Sequence, residues 1–249
     1  MPLLAAEQFA PMLGIVLAAY FIRGISGAGS ALVAVPLLAH LLPLKTVVPL
    51  VLLLDYSASV ALSRATPGQA DLSELRRLLP ASAVGIVIGI FLLLRLPQAI
   101  LLAGLGIFVA LFGLRGALGR QDTRPISAGW STLAGLSGGA IGIVFGTGGP
   151  PYLIYLMHRL RDKSVLRATL SRLFLVEGSV RIVAFLATGL LLDVAIWQLA
   201  GIGVIAVAAG LWAGNRIHGR LSTPRLFRFV GVLLLCSGLS LLAKALAAA

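Results

Sequence analysis

Charged residues are scarce in this chain and make up only 11% of its 249 residues. Soluble globular domains carry roughly a quarter of charged residues, so this chain cannot cover a water-facing surface. Long apolar runs take their place: residues 78–94 and 98–114 are 17 residues each without a charge. A transmembrane helix needs about 17–25 such residues. Because the period-two alternation of a barrel strand is absent, the runs are predicted to be membrane helices.

Cysteine and histidine are nearly absent. A single Cys236 excludes an internal disulfide and a cysteine metal site. His40, His158 and His218 stand singly near helix ends, without the spacing of metal ligands. These residues supply neither a nucleophile–base pair nor a metal constellation. We therefore expect a protein that is not an enzyme and that needs no metal and no cofactor.

Acidic residues are also few, at 8 against 20 Lys and Arg, which gives a net charge of +12. Such a balance can indicate nucleic-acid binding, but the basic residues lie in short loops between apolar runs, as the positive-inside rule expects. The predicted partner is the lipid bilayer and not nucleic acid. No Lys or Arg precedes the first apolar run, so Met1–Tyr20 is predicted to lead into the first helix and not to form a signal peptide.

Glycine motifs recur along the chain in a preserved order, which predicts a duplication. Between the recurring glycines, Asp55 falls against Glu177. The offsets drift from 119 to 125 residues, as loop insertions would produce. The recurring elements are Gly27–Ser30 with Gly146–Gly149, Gly85 and Gly89 with Gly210 and Gly214, and Gly106 and Gly113 with Gly231 and Gly238.

Each half is predicted to contain five apolar segments, with a first transmembrane repeat at 1–118, a linker loop at 119–127 and a second repeat at 128–249. The segments 30–42 and 150–158 are too short to span a bilayer unless it thins, and the sequence leaves open whether they span or re-enter. The ten segments are 8–23, 30–42, 46–63, 76–94, 98–116, 128–145, 150–158, 167–188, 195–214 and 226–245.

The positive charges favour opposite orientations for the two halves. If each half crosses the membrane an odd number of times, nearly all loop arginines fall on one side, and only Lys45, Arg95 and Lys244 lie near the other. The predicted fold class is therefore an all-α polytopic membrane protein with two pseudo-symmetric, inverted halves. Some of these helices are predicted to be interrupted at the glycine-rich motifs.

The two glycine blocks are candidates for an anion site. Each block is expected to end one helix and to begin a short one whose free N–H groups point into the protein, and such a helix N-terminus attracts anions. The alternative is that the glycines only allow close helix packing, which fits Gly85, Gly89, Gly210 and Gly214. The candidate residues are Ser26, Gly27, Gly29, Ser30, Gly146, Thr147, Gly148 and Gly149, with Tyr152 and Tyr155 as walls.

Ionisable residues at membrane depth are costly and usually functional or paired. Asp55 and Glu177 occupy matching mid-segment positions and are candidate proton or cation carriers. Arg181 lies four residues after Glu177, so the two can pair as a structural alternative. Arg172 is either a countercharge for a substrate or a snorkelling side chain. Arg23, before the first break, either reaches the anion or ends a helix.

The motif Gly24-x-x-Gly27-x-Gly29-Ser30-x5-Pro36 resembles the first-repeat signature of the TauE/SafE family of sulfite and organosulfonate exporters. The run from Gly135 to Pro150 is similar to the second-repeat signature, and Asp162 to Thr169 resembles the stretch that follows it. Family members usually carry a further glycine where this chain has Ser30. The resemblance covers about residues 10–245 and implies movement of sulfur-containing anions such as sulfite, sulfoacetate or other sulfonates.

The sequence as a whole predicts a multi-pass transporter in the bacterial inner membrane. Duplicated breaks and membrane carboxylates favour a carrier that works by alternating access, with a small anion as its substrate. An anion channel or a carrier of a non-sulfur anion is the alternative, and a coupled carrier would differ from a channel by its dependence on a proton gradient. A structural membrane subunit would not need the duplicated breaks. The sequence leaves open whether the protein forms a homo-oligomer.

Overall fold

The computed structural model describes residues 6–26, 29–65, 68–118, 125–217 and 223–247. Within them the chain forms ten α-helices and no strand, which confirms the predicted helical class; the second helix ends at Leu38, earlier than expected. The helices are α1 (Ala6–Ser26), α2 (Ser30–Leu38), α3 (Leu44–Ala65), α4 (Leu72–Arg95), α5 (Gln98–Ala117), α6 (Trp130–Phe145), α7 (Gly149–Arg159), α8 (Lys163–Ala187), α9 (Val194–Ile217) and α10 (Thr223–Ala247).

Five helices, α1, α3, α4, α5 and α9, are long and apolar enough to cross a bilayer. Their outer faces expose large apolar side chains, such as Phe91 at 58%, Leu111 at 61% and Ile205 at 73%. A lipid environment covers such faces, and the internal hydrogen bonds of helices satisfy the backbone there. The chain is therefore a multi-pass membrane protein. α8 is long enough at 25 residues but carries five charged side chains.

Glycines set the close packing of α4 on α6 and of α1 on α9. A Cβ added to Gly85 would collide with the carbonyl of Leu136 on α6, and one added to Gly89 would meet Ala140. On α9, a Cβ on Gly214 would collide with the backbone of Phe21 on α1. Gly210 meets the α1 backbone in the same way. The interpretation of these glycines as packing residues is confirmed.

In the pair α5 and α10, glycines on both helices face the backbone of the partner helix. Gly106 faces the carbonyl of Gly238, and Gly113 faces the carbonyl of Gly231. Each of the three pairs joins a helix of the first half to a helix of the second half. The exchange is matched, because α1 packs on the fourth helix of the second half and α6 packs on the fourth helix of the first half. The opposite orientation of the halves and their boundaries stay predictions.

The short helices α2 and α7 are held at their C-terminal ends by charged side chains. Nζ of Lys244 on α10 donates to the carbonyl of Ala39 at 2.9 Å, where the negative end of the α2 dipole lies. At the end of α7, Arg159 and Tyr155 both bind the carboxylate of Glu74 on α4, at 3.0 and 2.6 Å. Both helices are about 14–17 Å long at 1.5 Å per residue, so neither crosses the bilayer alone.

Aspartates cap the N-terminal ends of two of the long helices. Asp71 accepts from the backbone N–H groups of Ser73 and Glu74 at the start of α4, and Asp162 caps α8 in the same way. The hydrogen bond from the Ser73 hydroxyl holds the pKa of Asp71 below its usual range. These caps satisfy backbone donors that a helix start leaves free.

Candidate functional site

Both halves interrupt their first helix at a glycine block, as predicted. Residues 27–29 separate α1 from α2, and residues 146–148 separate α6 from α7. One described glycine in each break has a positive φ, 95° at Gly29 and 69° at Gly146. Side chains other than hydrogen are strained in that region, so glycine is needed for the backbone itself at these two positions. The breaks are thus built into the backbone geometry.

The N-termini of α2 and α7 meet at one cavity of about 40 Å³. Neither N-cap residue, Gly29 or Gly148, supplies a side-chain hydrogen bond to the first turn. The first turn of α2 therefore offers free N–H groups. At α7 only Gly148 and Gly149 can offer them, because Pro150 and Pro151 have no N–H. Each helix start also carries about half a positive charge. The cavity is lined by Arg23, Gly29, Ser30, Ala31, Leu32, Leu52, Asp55, Tyr56, Gly146, Thr147, Gly148, Gly149, Pro150, Phe174 and Arg181.

Three of the lining residues carry a buried donor that has no partner. Within the described part of the chain, Oγ1 of Thr147, Nε of Arg23 and Nε of Arg181 form no hydrogen bond. Leaving a buried polar group unpaired costs about 1–3 kcal/mol. The charged side chains of the lining are Arg23, Arg181 and Asp55, which gives one net positive charge. An anion in the cavity would meet both a favourable field and unused donors.

Asp55, at mid-length of α3, is the acceptor at the first break. Its Oδ1 accepts from the Tyr20 hydroxyl at 2.6 Å, from Nη1 of Arg23 at 2.7 Å and from the Ser30 hydroxyl at 2.7 Å. Arg23 is only 1% exposed, and its Nη2 also donates to Ser59 at 2.7 Å. Removing either partner of this ion pair would leave a charge in a poorly solvated site.

Glu177 does not form the expected ion pair with Arg181, whose guanidinium has no carboxylate within 4 Å among the described residues. Arg181 donates instead to the carbonyl of Gly142 on α6. That carbonyl lies in the last turn of α6, where helix carbonyls lose their intrahelical partners. Glu177 is 2% exposed and accepts from the Tyr152 hydroxyl at 3.2 Å, which also contacts Ser82 at 2.8 Å.

Several predicted site residues lie away from the cavity or outside the description, among them Tyr155, whose hydroxyl donates to Glu74. Arg172 is exposed and lines a separate groove with Tyr56. Tyr152 turns its hydroxyl toward Glu177 and is not part of the cavity wall. Gly27 lies outside the described residues, and so does the side chain of Ser26. Neither Arg172 nor Tyr152 lines the cavity at the breaks, and a substrate-binding role for either stays a prediction.

The family described as "Sulfite exporter TauE/SafE" matches residues 12–241. The chain belongs to the TauE/SafE family. Among curated proteins, the "Probable inner membrane transporter protein TsaS" of Comamonas testosteroni is 30% identical over 194 residues, covering 77% of this chain and 81% of that protein. No solved structure matches the chain significantly. Family and relative together identify a TauE/SafE membrane transporter and confirm the resemblance seen in the motifs.

Several contributors to this TauE/SafE site were missed from the sequence. Tyr20 and Ser59 surround the Arg23–Asp55 pair, and Phe174 places its ring 5.7 Å from the Arg23 guanidinium. A signal for two of them existed. Tyr20 lies three residues before Arg23 and Ser59 four residues after Asp55, which puts each on the same helix face as its neighbour.

Each half of the chain has an arginine near its helix break, but the two arginines come from helices that do not correspond in the predicted repeat. Arg23 is on α1, and Arg181 is on α8. Gly142 lies 119 positions after Arg23, and Arg181 lies 122 positions after Ser59, within the offsets of the predicted repeat. In the first half Arg23 donates to Ser59. In the second half Arg181 donates to Gly142. Asp55 forms an ion pair with Arg23, whereas Glu177 lies more than 4 Å from the Arg181 guanidinium. The exchanged positions of the two arginines fit the predicted repeat.

Proposed function

We propose that this TauE/SafE transporter exports small sulfur-containing anions, such as sulfite, sulfoacetate or other sulfonates, across the bacterial inner membrane. The family description and the printed name of the Comamonas testosteroni relative support this substrate class and location. The observation that carries the proposal is the cavity at the two breaks, where Thr147, Arg23 and Arg181 hold unpartnered buried donors. Oxyanions accept several hydrogen bonds at once, which suits this set.

The size of the cavity favours the smaller members of that class. One buried water molecule needs about 10–15 Å³ of cavity volume. The cavity of about 40 Å³ therefore has room for roughly three water molecules. Sulfite, with four heavy atoms, is closer to this size than sulfoacetate. A larger sulfonate requires the two breaks to move apart, as alternating access around a fixed site provides.

In the proposed transport cycle, the carboxylate of Asp55 competes with the substrate anion for hydrogen-bond donors. Its carboxylate takes up donors of Arg23 and Ser30 that a bound anion would otherwise use. Neutralisation of this carboxylate, by a proton or by a bound cation, would release these donors to the anion. Glu177 and Arg181, behind the second break, are the matching coupling candidates. Membrane potential alone can also drive anion export, at about 2.3 kcal/mol per charge per 100 mV.

The test uses Thr147→Val in the purified protein, with thermal unfolding measured against sulfite, sulfoacetate, taurine, sulfate and chloride. The variant removes an unpartnered hydroxyl, so the anion-free protein should be as stable as wild type or slightly more stable. Stabilisation by the sulfur anion should shrink, because a hydrogen bond to a charged group contributes about 1.5–3 kcal/mol. Binding should weaken roughly tenfold or more.

Ser237→Ala is the matched control, since it removes another buried, unpartnered hydroxyl, on α10 and outside the cavity. It should keep the full anion response. An unchanged response in Thr147→Val would contradict the site. Transport in proteoliposomes separates the alternatives: a proton-coupled carrier responds to a proton gradient at constant membrane potential, whereas a channel does not.

A further inference from the structure

A second concave surface lies between α3 and α8, with a volume of about 590 Å³. Its lining combines two exposed arginines, Arg64 and Arg172, with the hydroxyl-bearing Tyr56, Ser63 and Ser179 and the apolar Val60, Leu175 and Val176. Arg64 lies at the C-terminal end of α3, on the side where the loop arginines cluster. The positive-inside rule makes this side cytoplasmic.

Three polar side chains of this groove, those of Arg64, Arg172 and Ser63, lack acceptors among the described residues. Neither Arg64 nor Arg172 has a carboxylate within 4 Å among the described residues. The Ser63 hydroxyl is buried, at 7% exposure of the residue, and has no hydrogen-bond partner. Two unpaired guanidiniums on the walls of a concave surface concentrate anions from solution. The chemistry of the lining therefore fits a hydrated anion.

Tyr56 connects this groove to the cavity at the breaks, because it lines both. It lies eight residues before Arg64 on α3, about 12 Å deeper along the helix axis. Its hydroxyl is 3.2 Å from the Ser179 hydroxyl on α8. A Cβ on Gly178 would come within 3.0 Å of its ring, so α8 holds the ring closely. The ring stands between a large outer space and a small inner one.

We propose that the groove is a water-filled vestibule that collects small oxyanions through Arg64 and Arg172, and that Tyr56 separates it from the cavity at the helix breaks. This inference rests on the proposed function for the identity of the anion, but the vestibule itself is a claim about water, charge and access. Arg172 thereby acts as a collecting residue outside the cavity and not as a ligand within it.

The first test measures thiol labelling, for which the chain offers a simple background. Cys236 is the single cysteine of the sequence, so Cys236→Ser removes all native thiols. Val60→Cys in that background is treated from the arginine-rich side with two membrane-impermeant thiol reagents of similar size, one a sulfonate and one a trimethylammonium. Each rate is divided by the rate with a free small thiol. Val87→Cys, on the exposed face of α4 at 67% exposure, serves as the lipid-facing control.

We expect Val60→Cys to react, with the anionic reagent favoured several-fold, and Val87→Cys to stay unlabelled. Adding Arg64→Gln and Arg172→Gln should abolish the preference, whereas Arg115→Gln, an exposed arginine outside the groove, should leave it intact. A groove filled with lipid would leave Val60→Cys unlabelled and overturn the proposal. A preference that is absent, or that survives both arginine changes, would overturn it as well.

The second test uses transport and the Tyr56 partition. Arg64→Gln with Arg172→Gln should raise KM for the sulfur anion several-fold with little change in kcat, and the effect should fall at high salt. Thr147→Cys, inside the cavity, should label slowly and become faster when Tyr56→Ala is added; equal rates would contradict the partition. If the wild type moves no sulfur anion but Val60→Cys keeps its anion preference, the substrate assignment fails while the vestibule stands.

Discussion

Asp55 is the residue on which the proposed coupling depends. Its Oδ1 gathers three short hydrogen bonds from two helices beside the α2 N-terminus, so it already fills part of an anion's place. Its neighbour Arg23 is almost fully buried and keeps one unpaired N–H. The balance between this carboxylate and an external anion decides how tightly the anion binds. Neutralising Asp55 should therefore tighten anion binding at the expense of the anion-free fold.

Asp55→Asn tests this balance. The anion-free variant should unfold at a lower temperature, because breaking a buried pair costs about 3–5 kcal/mol. Sulfite should stabilise it more than it stabilises wild type, since two unit charges 5 Å apart interact by about 3 kcal/mol at an effective dielectric of 20. Ser59→Ala, which removes a neutral partner of Arg23, should not enlarge the anion response. An anion response in Asp55→Asn no larger than that of wild type would refute the competition.

The residue scale also shows where sequence reasoning stops. The (i, i+4) spacing allowed a Glu177–Arg181 pair as one of two alternatives, but Arg181 donates to the Gly142 carbonyl, which the end of α6 leaves without an N–H partner. Helical spacing shows which side chains share a face and does not show what a neighbouring helix brings to that face. The Arg23–Asp55 pair spans 32 residues of sequence and was missed for the same reason.

At the scale of helices, prediction was more successful because lipid leaves few choices. Apolar runs without charge must be helical in a bilayer, and all ten predicted segments appear as helices. The glycine breaks were also foreseeable, since two positive-φ positions require glycine. The helix partners were not, because the same small-residue pattern serves α4, α5 and α9 alike. Only the structure shows that α4 packs on α6 and α5 on α10.

The glycine seams make a prediction about stability that is independent of transport. Gly85→Ala should destabilise the protein by about 1–3 kcal/mol, because its Cβ would collide with the backbone of α6 and force the helices apart. Gly201→Ala, in α9 with nothing within 4 Å of its Cβ, is the matched control. It should be neutral or more stable by about 0.5–1 kcal/mol through helix propensity. Thermal unfolding in detergent would measure both, and equal behaviour would argue against the seam.

At the scale of the whole molecule, the main helix pairs each combine one helix of the first half with one helix of the second half. The two halves therefore do not form separate bundles. α1, α4 and α5 of the first half each find their principal partner in the second half. Such interleaving places the two breaks, which are 119 residues apart, on one cavity. If the predicted duplication holds, the exchange of Arg23 and Ser59 for Gly142 and Arg181 means that the halves diverged in sequence while each kept one guanidinium near its break.

The most direct test of the central claim is to locate the anion. Crystals of the protein soaked with selenite, the selenium analogue of sulfite, would be measured at the selenium absorption edge. We expect an anomalous peak in the cavity between α2 and α7, within hydrogen-bond distance of Thr147, and its loss in Thr147→Val crystals. Selenium found only elsewhere on the protein, with this cavity empty, would contradict the assignment of the two helix breaks as the substrate site.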